Sequence, residues 1–254
     1  YYVAQSDGSD SYDGLYPSYQ GGTNGPWLTI TYAATQLAAG DTLYIRTGTY
    51  SEYCSFNSNG TAVNRITIDT YQSEAVTIDG EYTKPSSVFL PLVRAYGDYI
   101  TIRDLKITRS YGASLFLQGD YCEALNITGD HSYASGIVDL GAHNTIDYCT
   151  HTTSGEGYPS PSPTWGAAIS TQGSYGTIKH CIAWDNIGEG LSFVNTASHC
   201  VIEDSVSYNN ESYNFYIDSG DNCVCRRNLV YQTTPSLETA GIVVAKEYSG
   251  TVFN

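Results

Sequence analysis

The chain of 254 residues carries 26 acidic and 11 basic side chains, a formal net charge of −15 at pH 7. That balance excludes nucleic acid and anionic membrane surfaces as partners by charge repulsion, and an anionic polymer would need bridging cations. No stretch reaches the ~18 apolar residues of a membrane-spanning helix, and the even composition, without a linker or block shift, points to one domain over 1–254.

The sequence begins at Tyr1 without a charged and apolar leader and contains no Met, which fits a processed extracellular or cell-surface protein. With 24 Tyr against 6 Phe, its strands should carry phenols on faces that meet water and ligands. Residues 1–40 stand apart from the pattern that follows. Pro26-Trp-Leu-Thr-Ile-Thr-Tyr-Ala-Ala-Thr-Gln-Leu37 has the apolar spacing of a short helix, expected to cap the exposed end of a repetitive sheet. Gly40-Asp-Thr-Leu-Tyr-Ile-Arg-Thr-Gly-Thr-Tyr50 then reads as strand.

From residue 41 to 254 a unit recurs: a small polar turn, a short apolar strand, a gap and a second strand. First strands begin at Leu115, Ile137, Ile169, Leu191, Phe215 and Ile242, with spacings of 22, 32, 22, 24 and 27 residues. That period is too short for a βαβ unit and suits one coil of a solenoid. Second strands bring Ile102, Cys122, Ile146, Ile178, Ile202 and Cys225 into step, followed three residues on by Leu105, Leu125, Cys149, Cys181, Ser205 and Asn228. The 32-residue interval contains Glu156-Gly-Tyr-Pro-Ser-Pro-Ser-Pro-Thr-Trp165, whose prolines cannot join a ladder, so a protruding loop is expected over 156–165. The last coil stops at Gly250-Thr-Val-Phe-Asn254, leaving an edge without a cap. A second copy could cover that edge and build a homopolymer. The expected fold is all-β: a single-stranded right-handed parallel β-helix with a short N-terminal capping helix.

Coils stacked ~4.8 Å apart make equivalent residues neighbours, so side-chain chemistry tests the register. The position after the second-strand apolar residue reads Arg103, Glu123, Asp147, Lys179, Glu203 and Arg226, an outward ladder of mostly alternating sign. Cys149 with Cys181, and Cys200 with Cys223, fall at matched positions where the separation permits a disulfide. Cys200–Cys223 is the first expected; for Cys149 and Cys181 the alternative is a stack of thiols packed as small core side chains. The sequons at Asn59, Asn126 and Asn210 are candidate glycosylation sites.

The opening Tyr2-Val-Ala-Gln-Ser-Asp-Gly-Ser-Asp-Ser-Tyr-Asp-Gly-Leu15, with Pro26-Trp-Leu-Thr-Ile and Ala39-Gly-Asp-Thr-Leu-Tyr-Ile-Arg-Thr-Gly-Thr-Tyr50, resembles the start of secreted pectin-lyase-like β-helix proteins. The nearest resemblance is to pectate lyases of the ninth polysaccharide-lyase family. It implies a calcium site in an Asn-x-Asp-Asp-Gly-x-Asp segment and a catalytic Lys in a later Gly-Phe-Lys-Leu-Gly-Gly strand. The equivalents here are Asn186-Ile-Gly-Glu-Gly-Leu-Ser192 and Asn214-Phe-Tyr-Ile-Asp-Ser-Gly220. Glu189 keeps one carboxylate, Gly188 and Ser192 replace two others, and Tyr216 stands where the Lys would be.

The face on which such relatives bind sugar chains corresponds here to Gln118, Gln172, Ser192, Tyr216 and Asp218. Asp185, Glu189, Asp218 and Asp221 are the candidate Ca²⁺ ligands if neighbouring coils gather them. Lys246, Tyr216 and Arg226 are the candidate catalytic groups for proton abstraction. The five His, at 131, 143, 151, 180 and 199, show no metal-ligand spacing. Two functions follow from these residues. One is a β-solenoid scaffold that binds polysaccharide or copies of itself, and the other is a Ca-dependent lyase on an acidic uronan.

Overall fold

The computed structural model describes residues 1–156, 166–233 and 240–245. Within them the chain winds as a parallel β-helix of three sheets, designated S1, S2 and S3 in the order each coil crosses them. S1 contains Cys54–Phe56, Pro91–Ala95, Ala113–Leu117, Ile137–Asp139, Ala167–Thr171, Glu189–Phe193, Tyr213–Asp218 and Ala240–Ala245. S2 runs from Tyr2–Val3 and Thr42–Ile45 through to Val201–Glu203 and Val224–Arg226. S3 runs from Gly48–Tyr50 to Leu229–Tyr231.

Strands form here because apolar and polar residues alternate, as in Ile66-Thr-Ile-Asp-Thr70, whose Ile66, Ile68 and Thr70 are buried and whose other two are not. Successive coils then stack like on like. The S1 row Leu115, Ile137, Ile169, Leu191, Phe215, Ile242 pairs as its spacing predicts, and down to Phe215 it is buried in one core. From Tyr99 to Arg227 every described corner carries at least one left-handed residue other than glycine. Between S1 and S2 these include Tyr99, Tyr121, His143, Tyr175, His199 and Asn222, with φ between 52° and 60°. Such residues swing the chain sharply without a glycine, at a local cost of about 1–2 kcal/mol that the stacked coil must offset.

The second-strand register differs from the sequence expectation in one coil. Ile102 pairs with Ala124, not Cys122, and Ala124 with Ile146. The next row is therefore Leu105, Ile127, Cys149, Cys181 rather than one through Leu125. A two-residue slip keeps every side chain on its own face, so alternation alone could not detect it. As a consequence Glu123 leaves the charge ladder and meets Arg65 at 3.4 Å, while Leu125 takes its place in the row. Asp69 extends that row at its other end, 3.5 Å from Arg103.

The cysteines also differ from expectation: all seven are free thiols. Cys149 and Cys181 do stack, but each donates to backbone, Cys149 to Ala124 O at 3.3 Å and Cys181 to Lys179 O at 3.1 Å. Parallel stacking keeps their Cβ atoms near the ~4.8 Å strand spacing, beyond the ~3.8 Å that a disulfide prefers. Cys200 and Cys223 stack in the same way. The hydrogen bond between their thiols holds Cys200 below and Cys223 above the ordinary thiol range.

The N-terminal helical segment is shorter than its spacing suggests, a five-residue turn over Ile30–Ala34. Thr29 caps it by accepting from Tyr32 N at 3.1 Å, and Ile30, Ala33 and Ala34 are buried. Asp10 ties down its approach by accepting from Leu28 N, Thr29 N and Thr29 Oγ1 at 2.8–2.9 Å. The expected loop at 156–165 falls on residues 157–165 and the expected open edge on 246–254, both outside the described residues.

Candidate functional site

The outward side of S1 is built from two rows. The first reads Ser55, Arg94, Phe116, Val138, Ser170, Ser192, Tyr216, Val243. The second, where the strands end, reads Tyr96, Gln118, Leu140, Gln172, Val194; its ladder bonds run from Gln118 N to Ala95 O and from Leu140 N to Leu117 O, both at 2.8 Å. Beside this second row lies an open groove of about 340 Å³, lined by Gln118, Asp120, Leu140, Gln172, Ser174 and Thr196 among others. Gln118 Oε1 is buried and has no hydrogen-bond partner among the described residues. An unpaired buried acceptor costs about 1–3 kcal/mol, which a donor arriving from a ligand would recover.

Two structures flank the groove. Outside it, the corner residues form a continuous column. Tyr99, Tyr121, His143, Tyr175 and His199 stack at successive centroid distances of 4.8, 4.7, 4.8 and 5.0 Å. Inside it, Asp139 is buried behind the strand ends, accepting from Asn144 Nδ2 at 2.7 Å and Thr171 Oγ1 at 2.8 Å. Burial pushes its carboxyl up to about 7. A Cβ on Gly176 would stand 2.3 Å from Asp139 Oδ2, so glycine there makes room for the acid.

Arg94 dominates the first row. Its Nε donates to Ser55 Oγ at 3.1 Å, and its guanidinium lies 4.7 Å from the centre of the Tyr96 ring. Every other described Lys and Arg has a carboxylate within 3.5 Å. Arg94 has none among the described residues. Tyr96 is 54% exposed.

The residues singled out from sequence divide between these surroundings and other places. Gln118 and Gln172 line the groove, while Ser192 and Tyr216 are neighbours in the first row. Ser192 is fully buried and Tyr216 is 6% exposed, its ring stacked on Tyr213 at 5.0 Å. Asp218 is buried at the end of its strand.

The four calcium candidates do not converge. Asp185 and Glu189 lie where the chain enters S1, whereas Asp218 and Asp221 lie where it leaves, about 15 Å away by strand length. Among the described residues no three metal-ligating side chains cluster. Arg226 is on S2, paired with Glu203 at 2.6 Å, and so faces away from S1. Lys246 lies outside the described residues.

Asn186, which opens the segment equivalent to the calcium motif, is interior. It donates to Asn210 Oδ1 at 2.7 Å and accepts from Ser154 Oγ at 2.9 Å. The same ladder buries Asn210 completely, so the folded chain offers no glycosylation site there. Asn59 and Asn126 are exposed. Arg94, Tyr96, Asp120 and the aromatic column were not identified from sequence. A 22-residue step back from Leu115 reaches Val93, and the same step links Tyr99, Tyr121 and His143, so the signal was present.

The family described as Pel9A-like, right handed beta helix region matches residues 2–223. The "Uncharacterized protein YwoF" of Bacillus subtilis (strain 168) is 32% identical over 117 residues, 41% of this chain, and the chain spans 25% of that protein's length. In fold, the chain resembles the crystal structure of pectate lyase Pel9A, with TM-score 0.65 and 14% identity over 99% of this chain and 77% of that one. It also resembles a rhamnogalacturonan lyase, with TM-score 0.63 and 13% identity over 98% and 86% of the two chains. The parallel three-sheet winding and the family match agree: this chain belongs to the Pel9A-like right-handed β-helix family.

Proposed function

We propose that the chain is a saccharide-binding β-helix that holds a glycan along the outward face of S1, in an extracellular or cell-surface setting. The groove at the strand ends carries this reading. It places the amides of Gln118 and Gln172 beside apolar Leu140 and leaves Gln118 Oε1 without a partner among the described residues. Amide groups next to apolar surface suit a sugar's alternation of hydroxyls and C–H faces. The same reading treats Ile30–Ala34 as a cover over the first coil.

The family match favours a second reading, a Ca-dependent lyase that cleaves an acidic uronan by β-elimination with Tyr216 or Lys246 as base. Against it stand the separation of the four carboxylates and the poor match of an ordinary Tyr, near pKa 10, to a general base at neutral pH. Affinity electrophoresis through gels containing neutral or acidic polysaccharides, with parallel absorbance assays for unsaturated uronate in calcium, separates the two. Retardation without an absorbance rise supports the binding module. Release of unsaturated sugar would replace it with the lyase, and no retardation in any gel would overturn the saccharide reading.

A further inference from the structure

We propose that the outward face of S3, where it passes through Ile182–Trp184, Val206–Tyr208 and Leu229–Tyr231, is the contact through which two copies of this chain pair. The surface lies on a different sheet from the saccharide groove and does not depend on it.

This face changes character along the solenoid. Its two outward rows first read Lys106, Thr128, Thr150 and Thr108, Asp130, Thr152. The same rows continue as Ile182, Val206, Leu229 and as Trp184, Tyr208, Tyr231. The winding does not require the switch, because both stretches place these side chains on the side away from the core. Ile182, Leu229 and Tyr231 are each at least a third exposed. An unbroken two-row apolar stripe beside a polar stretch of the same face marks a contact surface.

The chemistry of the stripe selects the partner. Trp184 and Tyr208 stack at 6.2 Å and Tyr208 and Tyr231 at 4.8 Å, nearly parallel in both pairs. Rings stacked along the solenoid use their faces on each other and turn their edges outward, so a sugar, which lies on ring faces, is a poor match. Charge narrows the choice further. The six residues carry none, and at the S2 border Arg227 is taken by Asp204 at 2.7 Å and Arg226 by Glu203 at 2.6 Å. The opposite border holds one carboxylate, Asp185, beside Asn209. A strongly charged partner has little here to steer it. Two copies of a chain with a net charge of −15 repel, and a patch where charge nearly cancels is where they approach at least cost. The stripe also complements itself: a two-fold axis along the solenoid lays each copy's aliphatic row on the other's aromatic row, in the aligned packing of two sheets. Spanning only two coil spacings of ~4.8 Å, it is small, and association in the micromolar range is expected.

The test is sedimentation equilibrium of the whole chain across the micromolar range. Wild type is compared with a double variant, Ile182→Asp with Leu229→Asp, and with Thr128→Asp on the polar stretch of the same face. Circular dichroism checks the fold of each, and Ile182→Ser with Leu229→Ser replaces the Asp pair if that pair does not fold. Wild type should form a reversible dimer, strengthened as salt rises from about 20 to about 500 mM because screening removes the repulsion between copies. The double variant should weaken the dimer about tenfold or more, and Thr128→Asp should leave it unchanged. A wild type that stays monomeric to about 1 mM, a dimer that the double variant does not weaken, or open-ended polymers formed alike by both overturn the proposal. So does retardation of wild type by a neutral polysaccharide gel that the double variant loses, which would give the stripe to a sugar.

Discussion

The outward faces of S1 and S2 are made by the same winding, yet they treat charge in opposite ways. On S2 the row Asp69, Arg103, Leu125, Asp147, Lys179, Glu203, Arg226 answers nearly every charge with its opposite on an adjacent coil, at 3.5 Å for Arg103–Asp69, 3.4 Å for Lys179–Asp147 and 2.6 Å for Arg226–Glu203. On S1 the matching row holds one cation, Arg94, among hydroxyl, aromatic and aliphatic neighbours. Stacking turns any repeated outward position into a ladder whose members serve each other. A group left unmatched in such a ladder is therefore where a ligand can be recognised, and S2 is an unpromising place for one.

The most forceful way to break that contrast is to weaken the fold behind both faces and ask whether binding follows stability instead of surface chemistry. Asn186→Ala removes the central member of the interior ladder, leaving Ser154 N and Ser154 Oγ without their shared acceptor. It should cost about 2–4 kcal/mol in urea denaturation, with saccharide affinity unchanged well below the transition. Affinity falling in proportion to stability would dissolve the distinction between a structural interior and a recognising surface.

A smaller effect sharpens what lies directly beneath S1. Asp139 titrates near 7 in the folded chain and near 3.9 unfolded. Between those values the folded state holds a proton that the unfolded state has lost, so this group's contribution falls as pH rises, by up to about 1.4 kcal/mol per unit. Buried His151 works in the opposite sense. Burial lowers it to about 4 from roughly 6.5, so its contribution grows as pH rises through that window. Asp139→Asn should remove the first slope and expose the second, giving urea midpoints that climb between pH 4 and 6.5 more steeply than in wild type. An unchanged profile would show that Asp139 does not carry the proton. The smallest effect belongs to S2: Lys179→Ala should cost no more than about 0.5 kcal/mol and leave glycan binding untouched.

How much of this could be read in the sequence follows from what stacking does and does not constrain. The S1 row from Leu115 to Ile242 was legible because large apolar residues at one period leave little choice of register. The slip at Cys122 was not, since moving by two residues preserves both faces. Matched cysteines indicated neighbours correctly but not bonds, because parallel side chains approach only to the strand spacing. The sequon at Asn210 and the acid string from Asp185 to Asp221 are local in sequence. Whether such groups point inward, or sit at opposite ends of a strand, depends on corners made by single left-handed residues such as Asp185 and Asn209. Gln118 and Gln172 were legible as outward polar positions. Arg94 lies one coil before the first row that the spacing made obvious, and its meaning comes from a missing partner, which no single residue reveals.

The most direct measurement is a crystal structure of the chain with an oligosaccharide selected by the binding assay. The account predicts a sugar on S1, in the groove lined by Gln118, Leu140 and Gln172. A sugar bound along S2 would contradict it.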